Sequence, residues 1–187
     1  MAGDNRGMET PRQLHAELDA YAARWPAESA TVALFRALLG DGGDAFLRER
    51  LAGHFTASTW IVAADGQRTL LTHHRKLGLW LQPGGHADGD MDLARAALRE
   101  AEEESGLGDL VIEPGIFDLD RHRIPEHKGV PEHWHYDVRY VVRATGSEAY
   151  VVSDESHDLA WRDIATLAAD PHADASVRRM ARKWLAR

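Results

Sequence analysis

Residues 84–107 read GGHADGDMDLARAALREAEEESGL. The run reads as a helix rich in Ala and Leu, strong helix formers, and it stops at Ser105-Gly106, a helix-ending pair. Its last turns collect Glu100, Glu102, Glu103 and Glu104. The C-terminal end of a helix carries partial negative charge, so each exposed anion there costs about 0.3–1 kcal/mol. On a helical wheel Glu100, Glu103 and Glu104 fall within an arc of about 100° and Glu102 points away. Ala94, Leu98 and Ala101 form the stripe expected to face a core, leaving the three acids toward a groove or solvent. Clustered carboxylates are the oxygen ligands Mg²⁺ or Mn²⁺ prefers, with water and substrate phosphates completing the shell. A bound cation would reverse the helix-end penalty; a merely solvated charged face is the alternative.

Around this helix the pattern is strand-like. FTASTWIVAADGQRTLLTHH, from residue 55, predicts two strands joined at Asp65-Gly66, a two-residue hairpin signal. Further strands are predicted at 110–119 and 134–143, then a short helix, a break at Pro171 and a terminal helix opened by Ser176. Upstream, Thr10-Pro11 reads as a helix start, with Leu14, Leu18, Tyr21 and Trp25 at helical spacing, and Val32 to Leu39 as a second helix. The expected fold is an α/β sandwich around a mixed sheet, 55–187, behind an N-terminal helical extension, 1–54. The extension offers either a cover for the site or a homodimer interface.

With 187 residues, 44% of them hydrophobic, the chain can bury a real core. A net charge of −8 argues against a nucleic-acid or acidic-membrane surface, since phosphate backbones are held by Lys and Arg. No apolar run approaches the ~20 residues that span a bilayer. The absence of cysteine excludes disulfides, thiolate metal sites and Cys nucleophiles, and it fits a reducing compartment. A soluble, cytoplasmic protein is expected.

Gly85, then thirteen residues, then Arg99-Glu100-Ala101-Glu102-Glu103-Glu104-Ser105-Gly106-Leu107 closely resembles the Nudix box, G-x5-E-x7-R-E-U-x-E-E-x-G-U with U aliphatic. At roughly one chance in fifteen per position, matching the Gly, Arg, three Glu and final Gly has odds of about 10⁻⁷ per window. The resemblance implies the family's α/β/α sandwich and a hydrolase that cleaves a nucleoside diphosphate linked to another group, by water attack on phosphorus. It implies Glu100, Glu103 and Glu104 as metal ligands for Mg²⁺ or Mn²⁺, with the Gly85 carbonyl as a backbone ligand and Arg99 orienting the glutamates. The proton of the attacking water goes to a box glutamate or to an acid from a later loop, for which Glu155 is the candidate. The sequence departs from the box at Met91, where the first glutamate belongs; Asp90 or Asp92 is the neighbouring acid left to pair with Arg99.

Other residues suggest substrate contacts. Arg75 and Lys76, just before the box loop, can attract a diphosphate. In HWHYDVRY, 133–140, strand alternation puts His133, His135, Asp137 and Arg139 on one face and Trp134, Tyr136, Val138 and Tyr140 on the other. The polar face is expected to line a substrate cleft. A sharper reading joins His133 or His135 with His86 in a second metal site of neutral imidazoles. Trp80 offers a stacking surface for a base; Trp25, Trp60, Trp134, Trp161 and Trp184 read as packing anchors. Two other functions share parts of this pattern. An isopentenyl-diphosphate isomerase shares the fold but needs a catalytic cysteine, which this chain lacks. A non-catalytic nucleotide sensor fits Met91 but not the retained glutamates.

Overall fold

The computed structural model describes residues 6–75, 78–127, 129–152 and 156–187. The central strands are β1 (His54–Val62) and β7 (His133–Ala144), paired in parallel along the whole of β1, from His54 opposite His135 to Val62 opposite Arg143. Every residue of β1 is buried, as a strand covered on both faces requires. Two strands share its other edge: β2 (Arg68–His74) pairs with the far end and β4 (Gly84–His86) with Thr56–Ser58, both antiparallel. The free edge of β7 is likewise divided between β6 (Asp118–Ile124) at its start and β5 (Leu110–Ile112) at its end. On its outer edge β2 pairs along its whole length with β8 (Ser156–Asp163), while β3 (Trp80–Leu81) continues the edge that β1 occupies; with the β1–β7 pair parallel and the others antiparallel, the sheet is mixed.

Helices cover both faces. Against one lie α1 (Arg6–Arg24), α2 (Ser29–Gly40) and α3 (Leu93–Ser105), with Leu18, Tyr21, Phe35, Ala96 and Ala97 packed on Phe55, Ala57, Tyr136 and Val138. Against the other lie α4 (Ile164–Ala169) and α5 (Ala175–Leu185), with Ile164, Val177, Met180 and Ala181 on Trp60, Val62 and Val141. The expected α/β/α sandwich with N-terminal helices is observed, and the helices preceding β1 share their core with the sheet. No described helix is long and apolar enough to cross a membrane.

Several boundaries differ from expectation. Helix α1 starts at Arg6 and carries Pro11 inside it, in the second turn, where the missing N–H costs the helix one bond to the turn ahead. The β1–β2 turn is wider than a two-residue hairpin: Ala63 N–H bonds to Arg68 O at 2.9 Å, and Asp65 Oδ1 accepts from Gln67 N at 2.8 Å inside the loop. The strand predicted at 110–119 is two strands, broken where Pro114 precedes Gly115 at φ 86°. Helix α5 is capped by Asp174, which accepts from Ser176 N at 2.8 Å, rather than by Ser176.

Candidate active site

Helix α3 begins on Asp92, whose carboxylate accepts from Arg95 N at 3.0 Å. It ends at Gly106, left-handed at φ 64°, a conformation that costs glycine little. Its buried face is Leu93, Ala96, Ala97 and Ala101, while Ala94 and Leu98 lie at the margins. This face is rotated from the expected stripe because the small Ala96 and Ala97, not the larger Leu98, permit close approach to the sheet. The rotation matters for the acids. Glu100 and Glu104 border the buried face instead of pointing to solvent, whereas Glu103 is 63% exposed.

Both inward acids meet β4. Glu104 Oε1 accepts from Gly84 N at 3.0 Å. The Glu100 carboxylate fills the space where a side chain at Gly85 would start, with Cδ 2.6 Å from an ideal Cβ there. Gly84 is equally constrained on the opposite face, since its Cβ would lie 2.6 Å from Ser58 Cα. Burial raises the pKa of Glu100; Arg99 opposes the shift, and the charges of Glu103 and Asp88 add to it. The expected bystander, Glu102, is exposed.

Arg99 holds this corner together. Its Nη2 donates to Glu100 Oε1 at 3.1 Å and to His86 O at 3.2 Å, and its Nε lies 3.9 Å from Glu103 Oε1. Of the two acids flanking Met91, Asp90 approaches Arg99, at 3.9 Å, but is bound more tightly by Arg95 at 2.6 Å. Asp92 is spent on the helix cap. Met91 packs against the core shared by α1, α2 and the sheet, so an apolar side chain suits that position here. The loop before α3 is clipped to the preceding segment by Gly89 N bonding to Phe46 O at 2.8 Å and by the Arg48–Asp88 ion pair.

On the other face of β4 the histidines converge. His54, His133 and His135 each offer a ring nitrogen, all within 4.8 Å of one another. His86 and His122 adjoin them, with ring centroids 5.1 and 5.5 Å from that of His135. Burial depresses His54, takes His86 down to about 4 and, with the neighbouring histidines, takes His135 down to about 2, so these rings are neutral near pH 7. The expected pairing was His133 or His135 with His86; the ring nitrogens that converge are instead those of His54, His133 and His135, with His86 beside them, and His54 is the member the sequence did not single out. Its signal was the alternation His54, Thr56, Ser58 in a strand read as starting one residue later.

Deeper along the same face, Asp137 accepts from Ser58 at 2.7 Å and Thr56 at 3.1 Å, and from Arg139 Nε at 2.7 Å. Arg139, only 2% exposed, also binds Asp118 at 3.2 Å and Asp120 at 3.3 Å. Its guanidinium is enclosed by three aspartates within the core. Asp118 further accepts from Arg179 at 2.7 Å and Lys183 at 2.7 Å, tying α5 to the sheet. None of Asp118, Arg179 or Lys183 was singled out in the sequence, because nothing local marks partners so far apart.

Arg75 is exposed in the turn after β2. Lys76 and Glu155 lie outside the described residues. Trp80 is stacked on His73 at 5.0 Å between centroids and approached by Arg162 at 5.4 Å.

The sequence profile of the NUDIX domain matches residues 54–184. No curated protein matches the chain. Among solved structures, a NUDIX-family hydrolase from Clostridium perfringens is similar with a TM-score of 0.57 and 24% identity, over 71% of this chain and 96% of that one. A C. elegans Ap4A hydrolase binary complex gives 0.56 and 21%, over 71% and 95%. The NUDIX domain of Shewanella oneidensis NrtR complexed with ADP ribose gives 0.50 and 22%, over 70% and 87%. These likenesses bear on the fold, and the profile, which starts at the first residue of β1 and takes in α3 with its glutamates, bears on the family: the chain belongs to the Nudix hydrolase family.

Proposed function

We propose that the chain is a Mg²⁺- or Mn²⁺-dependent pyrophosphohydrolase that cleaves a nucleoside diphosphate linked to another moiety. The observation that carries this reading is the placement of Glu100 and Glu104 on the backbone of Gly84-Gly85, with Glu103 beside them and Arg99 between. Hard oxygen donors crowded at a helix C-terminus, one of them half-buried, suit a small divalent cation held by Glu100, Glu103, Glu104 and the Gly85 carbonyl. Such an ion would neutralise phosphate charge and lower the pKa of bound water.

The chain's own residues supply the rest. Arg99 fixes the Glu100 carboxylate through a direct hydrogen bond and anchors itself on His86 O. Water attacks phosphorus, the phosphoanhydride P–O bond breaks toward the departing phosphate, and a carboxylate takes the water's proton. A glutamate of α3 or Glu155 is the candidate for that proton. Arg75, Lys76, His86, His133 and His135 are the candidate substrate contacts; Arg139, expected among them, is instead buried with its donors committed to aspartates and holds Asp137 in place. The Ap4A hydrolase and the ADP-ribose complex among the solved relatives support a small nucleotide as substrate, and a chain without cysteine suits the reducing cytoplasm.

The test is a phosphate-release screen over nucleotide sugars, ADP-ribose, dinucleoside polyphosphates and nucleoside triphosphates, with and without Mg²⁺ or Mn²⁺. Metal-dependent turnover of at least one is expected; binding without turnover of any would replace the hydrolase by a sensor.

A further inference from the structure

We propose that His54, His133 and His135 form a second metal site, distinct from the carboxylates and taking a borderline transition ion of the Zn²⁺ class. Two of the three rings are already oriented for it. His133 Nδ1 lies 2.8 Å from Pro131 O and His54 Nδ1 lies 3.2 Å from Arg50 O, so in each the proton sits on Nδ1 and the Nε2 lone pair is free. A backbone carbonyl on the far nitrogen is how metal-binding imidazoles are held in the ligating tautomer.

The nitrogens then face one another. His133 Nε2 and His135 Nε2 are 3.2 Å apart, close to the separation of about 3.3 Å that two nitrogens on one tetrahedral Zn²⁺ would have at Zn–N distances near 2.05 Å. One shared proton could join that pair without a metal. It would still leave His54 Nε2, which is buried on a residue 1% exposed and has no hydrogen-bond partner. A cation at the centre satisfies all three lone pairs at once. With the three ligand atoms within 4.8 Å, closure on loading is no more than about 1.5 Å. Imidazole nitrogen favours Zn²⁺, Co²⁺ or Ni²⁺ over Mg²⁺. With three protein ligands the fourth position stays open to water or an oxygen of a ligand, on the side flanked by His86.

The two sites lie on opposite faces of one short strand. In β4 Gly85 faces Glu100 and the next residue, His86, faces the histidines. They can therefore be tested apart. The protein to use is the tag-free full chain carrying Glu100→Gln, Glu103→Gln and Glu104→Gln together, titrated with Zn²⁺ in excess Mg²⁺. One equivalent is expected to bind and to raise Tm, Co²⁺ is expected to give the absorption of a tetrahedral nitrogen site, and the Nε2 resonances of three histidines should move in nitrogen-15 spectra. Adding His54→Ala or His135→Ala should abolish the equivalent. His135 is only half-buried, so its variant keeps the test valid if His54→Ala fails to fold, and circular dichroism identifies that failure. No equivalent bound by the glutamine protein, or an equivalent retained in His135→Ala, would overturn the site whatever the outcome for hydrolysis.

Discussion

The Glu100 carboxylate stands in the space that a side chain at Gly85 would need, its Cδ 2.6 Å from where a Cβ would fall. An added methyl must push the carboxylate aside, and only the end of a flexible side chain has to yield. Gly85→Ala is therefore expected to fold with nearly unchanged Tm while kcat/KM falls about 10²-fold, the cost of misplacing a reacting group by an ångström. Full activity in this variant would detach Glu100 from the chemistry.

The neighbouring glycine should behave in the opposite way. A Cβ at Gly84 meets Ser58 Cα at 2.6 Å, on the backbone of the buried central strand, which cannot yield. Gly84→Ala is expected to break the β1–β4 pairing and lower stability by about 1–3 kcal/mol, as overpacking does. Urea denaturation of the two variants side by side reads the contrast.

Among the acids of α3, Glu103→Gln and Glu100→Gln should each lower metal-dependent turnover about 10²-fold or more, the usual loss for a principal electrostatic stabiliser. Glu102→Gln should leave it unchanged, because Glu102 points into solvent. Comparable losses at all three positions would indicate a general effect of helix charge.

Asp118 gives a pH signature. Burial pushes its pKa up, but Arg179, Arg139 and Lys183 outweigh burial and hold it below the ordinary 3.8. A carboxylate lowered by folding adds stability that is complete above its unfolded pKa and disappears as pH falls through the folded one. Asp118→Asn leaves buried cations short of a partner and should cost about 3–5 kcal/mol at neutral pH. The gap between wild type and variant should hold steady above about pH 5 and narrow in stronger acid. Urea midpoints across pH measure it; a gap constant to low pH would assign the loss to packing.

Phe35 on α2 is wholly buried, with ring centroids 5.4 Å from Tyr136 and 6.2 Å from Phe55. Phe35→Ala should destabilise the sheet as well as the helix, by about 3–5 kcal/mol, in a single thermal transition. Two separated transitions in calorimetry would mean that the N-terminal helices melt on their own.

What was legible in the sequence follows from range. The stop of α3 at Ser105-Gly106 and the outward turn of Glu102 rest on residues within a turn or two of each other, so local pattern and a helical wheel place them, whereas the start of α3 on the Asp92 cap was not singled out. The exact rotation of α3 was not, because Ala96 and Ala97 become the contact face only once a strand is there to approach. In 133–140 the alternation named both faces correctly, yet alternation says nothing of neighbours. That Arg139 is sealed by Asp118 and Asp120, and that His135 meets His54 and His122, depends on strand register. Lys183 reaches Asp118 across 65 residues, beyond the reach of any local pattern.

The parallel pairing of β1 with β7 also sets how this chain must fold. Thr56 meets Asp137 81 residues further on, and closing a loop of that length costs about 4 kcal/mol of chain entropy before any contact compensates. At about 5–20 residues per second on the ribosome, β1 would be synthesised several seconds before its partner. At the start of that interval a strand meant to be covered on both faces would have only the N-terminal helices for company, with β2, β4 and α3 joining it as they emerge. Those helices, made first and packing directly on Phe55, would then act as a built-in chaperone for the nascent core.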